Sequence, residues 1–92
     1  MKLQFSGHAM QRMFARSISP EDVRYVIDHG EIIANYPDDQ PFPSFLKLAF
    51  INGRALHIVV GYDASTDTGH IITAYVPDPA LWHDDMKTRK RS

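Results

Sequence analysis

The chain has 92 residues, 43% of them hydrophobic, and its 10 Lys and Arg against 11 Asp and Glu give a formal net charge of −1. This length allows one domain with one modest core. The near-neutral charge argues against a nucleic-acid binder, because phosphate contacts usually require a positive excess. The absence of cysteine excludes disulfides and thiolate metal sites. No apolar run approaches the roughly 20 residues of a membrane helix, and no secretory signal is visible, so we expect a cytoplasmic protein without a membrane partner.

Two helices are predicted near the N-terminus. The first runs from about Gly7 to Arg16, with Ser6 as its N-cap. Its apolar residues gather on one side, which predicts a buried stripe of Ala9, Met10, Met13 and Phe14. The second helix follows Ser19, with Pro20 at its first position and acidic residues in its first turn. Gly30 is expected to end it in a left-handed conformation.

Four strands are predicted after the helices, over residues 31–36, 44–51, 54–62 and 70–76. Asn52-Gly53, between the second and third strands, is typical of a two-residue hairpin. Residues 80–86 are expected to form one or two helical turns. The predicted fold is α+β, with two N-terminal helices packed on a four-stranded antiparallel sheet. It forms a single domain over residues 1–86, followed by a basic tail over residues 87–92.

The hairpin also predicts which strand residues oppose each other. Leu48 would oppose His57 and, if Tyr62 opposes His70, His57 would oppose Tyr75. The face with His57 would carry Leu46, Leu48, Phe50, Val59, Ile71, Thr73 and Tyr75. The other face would carry Phe45, Lys47, Ala49, Arg54, Leu56, Ile58, Val60, His70 and Ile72. Both faces are substantially apolar, so we expect both to be partly covered.

A first candidate site is the stripe of His8, Arg12 and Arg16 on the first helix, at spacings of four residues. Arginine binds phosphate oxygens bidentately and histidine transfers protons near neutral pH, so the stripe suits phosphate chemistry. The alternative is a solvated helix face whose arginines pair with carboxylates such as Asp22 or Glu31. The spacing alone leaves both interpretations open.

A second candidate is His57 opposite Tyr75, with Thr73 two residues away on the same face. It is either a general acid–base pair in a cleft or a core histidine bonded to Tyr75 or to backbone. No metal or other cofactor is predicted, because the sequence has no His-x-x-x-His helix, no Asp-rich calcium loop and no glycine-rich phosphate loop. The basic run over residues 87–91 is either a solvated end or an RNA-contacting arm.

The order and spacing of several short motifs resemble a small prokaryotic family filed as a domain of unknown function, numbered 4258. The resemblance runs from about His8 to Trp82. Its motifs are His8-Ala9-Met10-Gln11-Arg12-Met13, Arg16-Ser17-Ile18-Ser19, Asp22-Val23, Gly30-Glu31, Tyr36-Pro37, Pro43-Ser44, Gly53-Arg54-Ala55-Leu56-His57 and Ile72-Thr73-Ala74-Tyr75-Val76-Pro77-Asp78-Pro79-Ala80-Leu81-Trp82.

The resemblance implies a fold of the RelE/barnase/EndoU/colicin type and a kinship with toxins of toxin–antitoxin pairs. Carried over by position, the family pattern falls on His8, Arg12, Arg16, Arg54, His57 and Tyr75. RNA and an antitoxin-like protein are the partners that it implies.

The first functional hypothesis is a metal-independent endoribonuclease. His8 or His57 would activate the ribose 2′-hydroxyl, the other would protonate the leaving oxygen, and the two helix arginines would hold the phosphate. Tyr75 would orient His57 or stack on a base. The residues expected to bind substrate are Arg54, Thr73 and Lys47.

The second hypothesis is a non-catalytic interaction module, favoured by the near-neutral charge. It would bind a partner protein through a sheet edge or through the apolar segment over residues 41–45.

Overall fold

A computed structural model describes residues 1–91 of the protein. Two helices, α1 (Gly7–Ala15) and α2 (Pro20–His29), cover one face of a five-stranded sheet. The strands are, in chain order, β1 (Lys2–Phe5), β2 (Glu31–Tyr36), β3 (Ser44–Ile51), β4 (Arg54–Asp63) and β5 (Thr68–Tyr75). Their order in the sheet is β1-β5-β4-β3-β2, and all neighbours are antiparallel except β1 and β5. The predicted α+β class is confirmed.

The prediction of four antiparallel strands preceded by both helices is wrong, because β1 comes before α1 and pairs in parallel with β5. The pairing runs from Lys2 opposite Thr68 to Phe5 opposite Ile71. Leu3 and Phe5 pack against the core, which gives this short strand an apolar face. Because Lys2 pairs with Thr68, far away along the chain and in parallel, no local sequence pattern indicates this strand.

Both helices begin as predicted. The Ser6 hydroxyl accepts the Ala9 N–H at 3.0 Å. At α2, the Ser19 hydroxyl accepts the Asp22 N–H at 3.0 Å, and the Asp22 carboxylate accepts the Ser19 N–H at 3.0 Å. This reciprocal capping box satisfies two N–H groups that the helix itself cannot pair.

Replacing Ser19 with alanine is expected to lower the free energy of unfolding by about 1 kcal/mol, because the Asp22 N–H loses its acceptor. Urea denaturation followed by circular dichroism measures the change. Ser19→Asp is the matched control, because its carboxylate keeps an acceptor at the same position. An equal loss of stability in both variants would contradict the capping role.

Gly30 ends α2, but the prediction of a left-handed conformation is wrong. Its backbone is extended, with φ −76° and ψ 165°. Glycine is required there by space, because a Cβ atom would overlap the Val26 carbonyl oxygen and lie 2.9 Å from the Leu48 carbonyl oxygen. The end of the helix therefore lies directly against the backbone of β3.

The register of the β3–β4 hairpin is as predicted, with Leu48 opposite His57, and His57 also opposes Tyr75 on β5. The predicted pair of Tyr62 with His70 is wrong, because Tyr62 opposes Gly69.

A β-bulge in β5 causes that shift. Val59 opposes Thr73 whereas Val60 opposes Ile71, so Ile72 has no partner on β4. Ile71 consequently faces the helices, with 3% of its surface exposed, and Ile72 is 47% exposed. The sequence analysis placed Ile71 on the face of His57 and Ile72 on the other face, and the structure shows the opposite arrangement.

The main core lies between the helices and the sheet. It is formed by Ala9, Met13, Ile18, Val23, Val26, Ile27, Ala49, Leu56, Ile58, Val60, Ile71 and Ala74. On the opposite face of the sheet, Leu46 and Leu48 are also buried. Both faces of the sheet are thus partly covered, as predicted.

Residues 77–91, here called the C-terminal strap, fold back and form turns instead of the predicted helical turn. The Asp78 carboxylate accepts the Ala80 N–H, and the Asp85 carboxylate accepts the N–H groups of Lys87 and Thr88. Such local bonds favour turns over a helix. The predicted basic tail falls within the strap, except for Ser92, which lies outside the described residues.

Candidate functional site

The predicted stripe of His8, Arg12 and Arg16 lies along the exposed side of α1. Arg12 Nε donates to His8 Nε2 at 2.8 Å. Because a ring nitrogen that accepts carries no proton, this contact fits a neutral imidazole with its proton on Nδ1. Arg16 Nη1 donates to the Ala74 carbonyl oxygen at 2.8 Å and so ties the end of α1 to β5.

Arg54 adds a further cation at the end of the same helix. Its Nη2 atom donates to the Ser17 carbonyl oxygen at 3.0 Å and lies 3.6 Å from Asp22 Oδ2. Within residues 1–91, neither Arg12 nor Arg16 forms a salt bridge with a carboxylate. We call His8, Arg12, Arg16 and Arg54 the basic cluster. Arg12 and Arg16 are exposed, and the carboxylates proposed as their partners, Asp22 and Glu31, pair with Arg54 and Lys87 instead, which leaves both arginines available to an external anion.

An apolar groove lies on the other flank of α1, between this helix and the start of α2. It has a volume of about 580 Å³ and is lined by Met10, Met13, Phe14, Ser17, Ile18, Ser19 and Pro20. The sequence prediction that Met10 and Phe14 are buried with Ala9 and Met13 is wrong. Phe14 is 88% exposed and Met10 is 41% exposed. Only Ala9 and Met13 of the predicted stripe are buried, and Met10 and Phe14 form an exposed apolar surface.

His57 lies on the opposite face of the sheet from the helices and is fully buried. Its Nδ1 atom is 3.2 Å from the Tyr75 hydroxyl, and its Nε2 atom is 2.6 Å from the Met86 carbonyl oxygen. Burial lowers the pKa of His57, and the hydrogen bond with Met86 opposes that shift. These contacts fit the alternative of a core histidine bonded to Tyr75 and to backbone. The structure does not bring His57 together with His8.

The other predicted site residues are also dispersed. Thr73 and Tyr75 are on the His57 side of the sheet, and burial is the main cause that raises the pKa of Tyr75. Lys47 Nζ donates to the Ile27 carbonyl oxygen at 2.5 Å, which pairs a cation with the C-terminal end of α2. Of the three predicted substrate-binding residues, Arg54 alone joins the basic cluster.

The apolar segment over residues 41–45 packs on the sheet, where the Phe42 ring stacks on His70 with 4.9 Å between ring centroids. In the described part of the chain, no group of three His, Cys, Asp or Glu side chains is placed to hold a metal ion. Nor does any helix there have the length and apolar character needed to cross a membrane.

The fold and this surface define a small α+β domain with a basic and apolar outer helix. The model of a family described as a domain of unknown function, DUF4258, matches residues 5–76, and the chain belongs to this family. The match extends from the end of β1 to just beyond β5, and the C-terminal strap lies outside it. No curated protein and no solved structure matches the chain.

Proposed function

We propose that the protein is a non-catalytic interaction domain that binds a partner protein through the outer surface of α1. The observation that carries this proposal is the 88% exposure of Phe14 beside the apolar groove. Burying one aromatic side chain of this size contributes about 2 kcal/mol to association. Clustered exposed apolar side chains are typical of contact surfaces.

The charges on α1 define the chemistry of the partner. Arg12 and Arg16 flank the exposed helix surface opposite Met10 and Phe14, and the two arginines retain free N–H donors. A partner segment with an apolar anchor for the groove and carboxylates for the arginines would be complementary to both flanks. The net charge of −1 favours such a protein partner over RNA.

Replacing Phe14 with serine is expected to weaken binding of the partner about 30-fold, because an aromatic hot spot contributes at least about 2 kcal/mol. The first candidate partner is the product of the adjacent reading frame, co-purified with the chain and titrated by calorimetry. Tyr25→Ser on α2 is the matched control, because Tyr25 is also an exposed aromatic, at 46%. Equal affinities for the two variants would refute binding through α1.

A second candidate function is metal-independent RNA cleavage by a cytoplasmic toxin of a toxin–antitoxin pair. The observation that favours it is the hydrogen bond between Arg12 and His8 beside Arg16. Once the bond from Arg12 opens, His8 Nε2 would take the proton of a ribose 2′-hydroxyl while the arginines hold the phosphate, and a solvent water would protonate the leaving oxygen. His57 has no part in this mechanism, since it faces the other side of the sheet.

Cleavage is tested with purified protein and total RNA in EDTA. If His8 is a general base, His8→Ala is expected to slow cleavage by roughly 10² to 10⁴-fold. His70→Ala, a histidine on the other face, is the control and should cleave at the wild-type rate. Background-level cleavage by the wild-type protein would exclude this second function and leave the binding proposal intact.

A further inference from the structure

The C-terminal strap covers part of the sheet face opposite the helices and is closed on itself. Trp82 forms a bridge with Arg89, and the His83 N–H donates to the Thr88 carbonyl at 2.9 Å. The Arg89 guanidinium lies 5.5 Å from the centre of the Trp82 ring. Within the described residues, the strap's backbone–backbone hydrogen bonds are all internal. The strap is thus a separate unit with no backbone ladder to the sheet.

A few side chains hold the strap on the sheet. His57 Nε2 bonds the Met86 carbonyl oxygen at 2.6 Å, and the Trp82 ring meets the imidazole edge-on with 4.6 Å between ring centroids. Lys87 forms a salt bridge of 3.3 Å with Glu31 on β2, but both side chains are about half exposed. Exposed pairs of this kind contribute little. His57 is therefore the principal polar anchor of the strap.

Burial favours the neutral form of the His57 ring, and both ring nitrogens are hydrogen-bonded in that form. A carbonyl oxygen only accepts, so Nε2 carries the proton and donates to Met86, and Nδ1 accepts from the Tyr75 hydroxyl. A second proton on Nδ1 would make the Tyr75 hydroxyl turn from donor to acceptor and would place a charge in a buried position. The ionisable group bonded to the ring is Tyr75 on β5, which itself interacts with Tyr36 on β2 and Arg89 on the strap, and the Lys87–Glu31 pair joins the strap to β2. The carboxylate of that pair is already matched by Lys87.

We propose that the strap is a detachable cover of the second sheet face, anchored by neutral His57 and released when His57 is protonated. Release uncovers His57 itself, whose cross-strand neighbours on this face are Leu48 and Tyr75. The device is separate from the α1 surface, so it does not depend on the proposed function.

The direction of the pH effect follows from burial. Burial lowers the pKa of His57 in the covered state below its ordinary value of 6.5, which it regains when the strap opens. The open state therefore binds the proton more tightly, and the covered state loses stability as the pH falls below about 6.5. Above that pH the strap stays closed.

Trp82 is the only tryptophan of the chain, so its fluorescence reports on the strap alone. Acrylamide quenching of Trp82 is expected to rise severalfold between pH 7.5 and pH 5.5, while far-UV circular dichroism stays constant. In His57→Gln the amide at position 57 can still donate to Met86 but no longer titrates, so quenching of Trp82 should not change with pH. His83→Gln, within the strap, should keep the wild-type response.

Constant quenching in the wild type, or an equal rise in His57→Gln, would overturn the proposal. Hydrogen exchange of the wild type gives a second test that needs no variant. After correction for intrinsic rates, peptides from residues 77–91 should exchange faster at pH 5.5 than at pH 7.5, while peptides from β3 and β4 stay unchanged. Equal protection of the strap at both pH values, or parallel acceleration of strap and sheet, would refute the strap as a separate cover.

Discussion

Replacing Gly30 with alanine is expected to lower the free energy of unfolding by about 3 kcal/mol, because overpacking at a site without free space forces the backbone to shift. The added methyl would overlap the Val26 carbonyl oxygen and approach the Leu48 carbonyl oxygen to 2.9 Å. Both obstacles are backbone atoms, which cannot rotate away as a flexible side chain does. Relief of the clash requires the end of α2 to move away from β3. Urea denaturation followed by circular dichroism measures the loss.

Gly7 provides the matched control for this prediction. It lies at the start of α1, and a Cβ atom there would meet nothing within 4 Å. Gly7→Ala is expected to leave the protein as stable as the wild type or to stabilise it by less than about 1 kcal/mol, because alanine favours the helix. A Gly30→Ala variant as stable as Gly7→Ala would show that α2 and β3 are not in close contact.

The elements that were predicted correctly have local causes. Ser19 and Pro20 start α2 through contacts within four residues, and Asn52-Gly53 sets the β3–β4 register through a two-residue turn. The strand β1 has no such signal, since its four residues are stabilised by pairing with β5 at the other end of the chain. A local pattern cannot indicate a partner at that distance.

The candidate site was predictable only in part, for a similar reason. The spacing of His8, Arg12 and Arg16 predicted one stripe of a helix; His8 and Arg12 are in contact on α1, and Arg16 is the C-cap of that helix. The alternation of β4 also separated His57 from Leu56 and Ile58, but it did not show which face the helices cover. That choice depends on the packing of α1 and α2, and it places His57 away from His8.

The sequence also did not indicate how many of the apolar residues of α1 are buried. An apolar stripe of Ala9, Met10, Met13 and Phe14 favours a fully covered helix face, yet only Ala9 and Met13 are buried. Met10 and Phe14 line the apolar groove between α1 and the start of α2 instead. An unexpected exposure of this kind is informative, because it identifies a surface that is available to a partner.

The β-bulge in β5 leads to the second prediction of large effect. Ile71→Ala is expected to lower the free energy of unfolding by about 3 kcal/mol, because removing a buried isoleucine leaves a cavity in the core. Ile72→Ala is expected to cost less than about 1 kcal/mol, since roughly half of that side chain already contacts solvent, at 47% exposure. Both substitutions remove the same atoms from the same strand and change its β propensity equally. The difference between their free energies of unfolding therefore reports on burial alone. Denaturation of the two variants side by side measures it.

Comparing Ile71→Ala with Ile72→Ala also distinguishes the β4–β5 register with the bulge from the register without it. Without the bulge, Ile72 would share a face with Leu56 and Ile58 beneath the helices, and Ile71 would lie on the face of His57. The costs of the two substitutions would then be reversed. Because the bulge leaves Ile72 unpaired, it turns Ile71 into the core while keeping His57 opposite Tyr75. A larger loss in Ile72→Ala than in Ile71→Ala would therefore contradict the bulge and the burial of Ile71 beneath the helices.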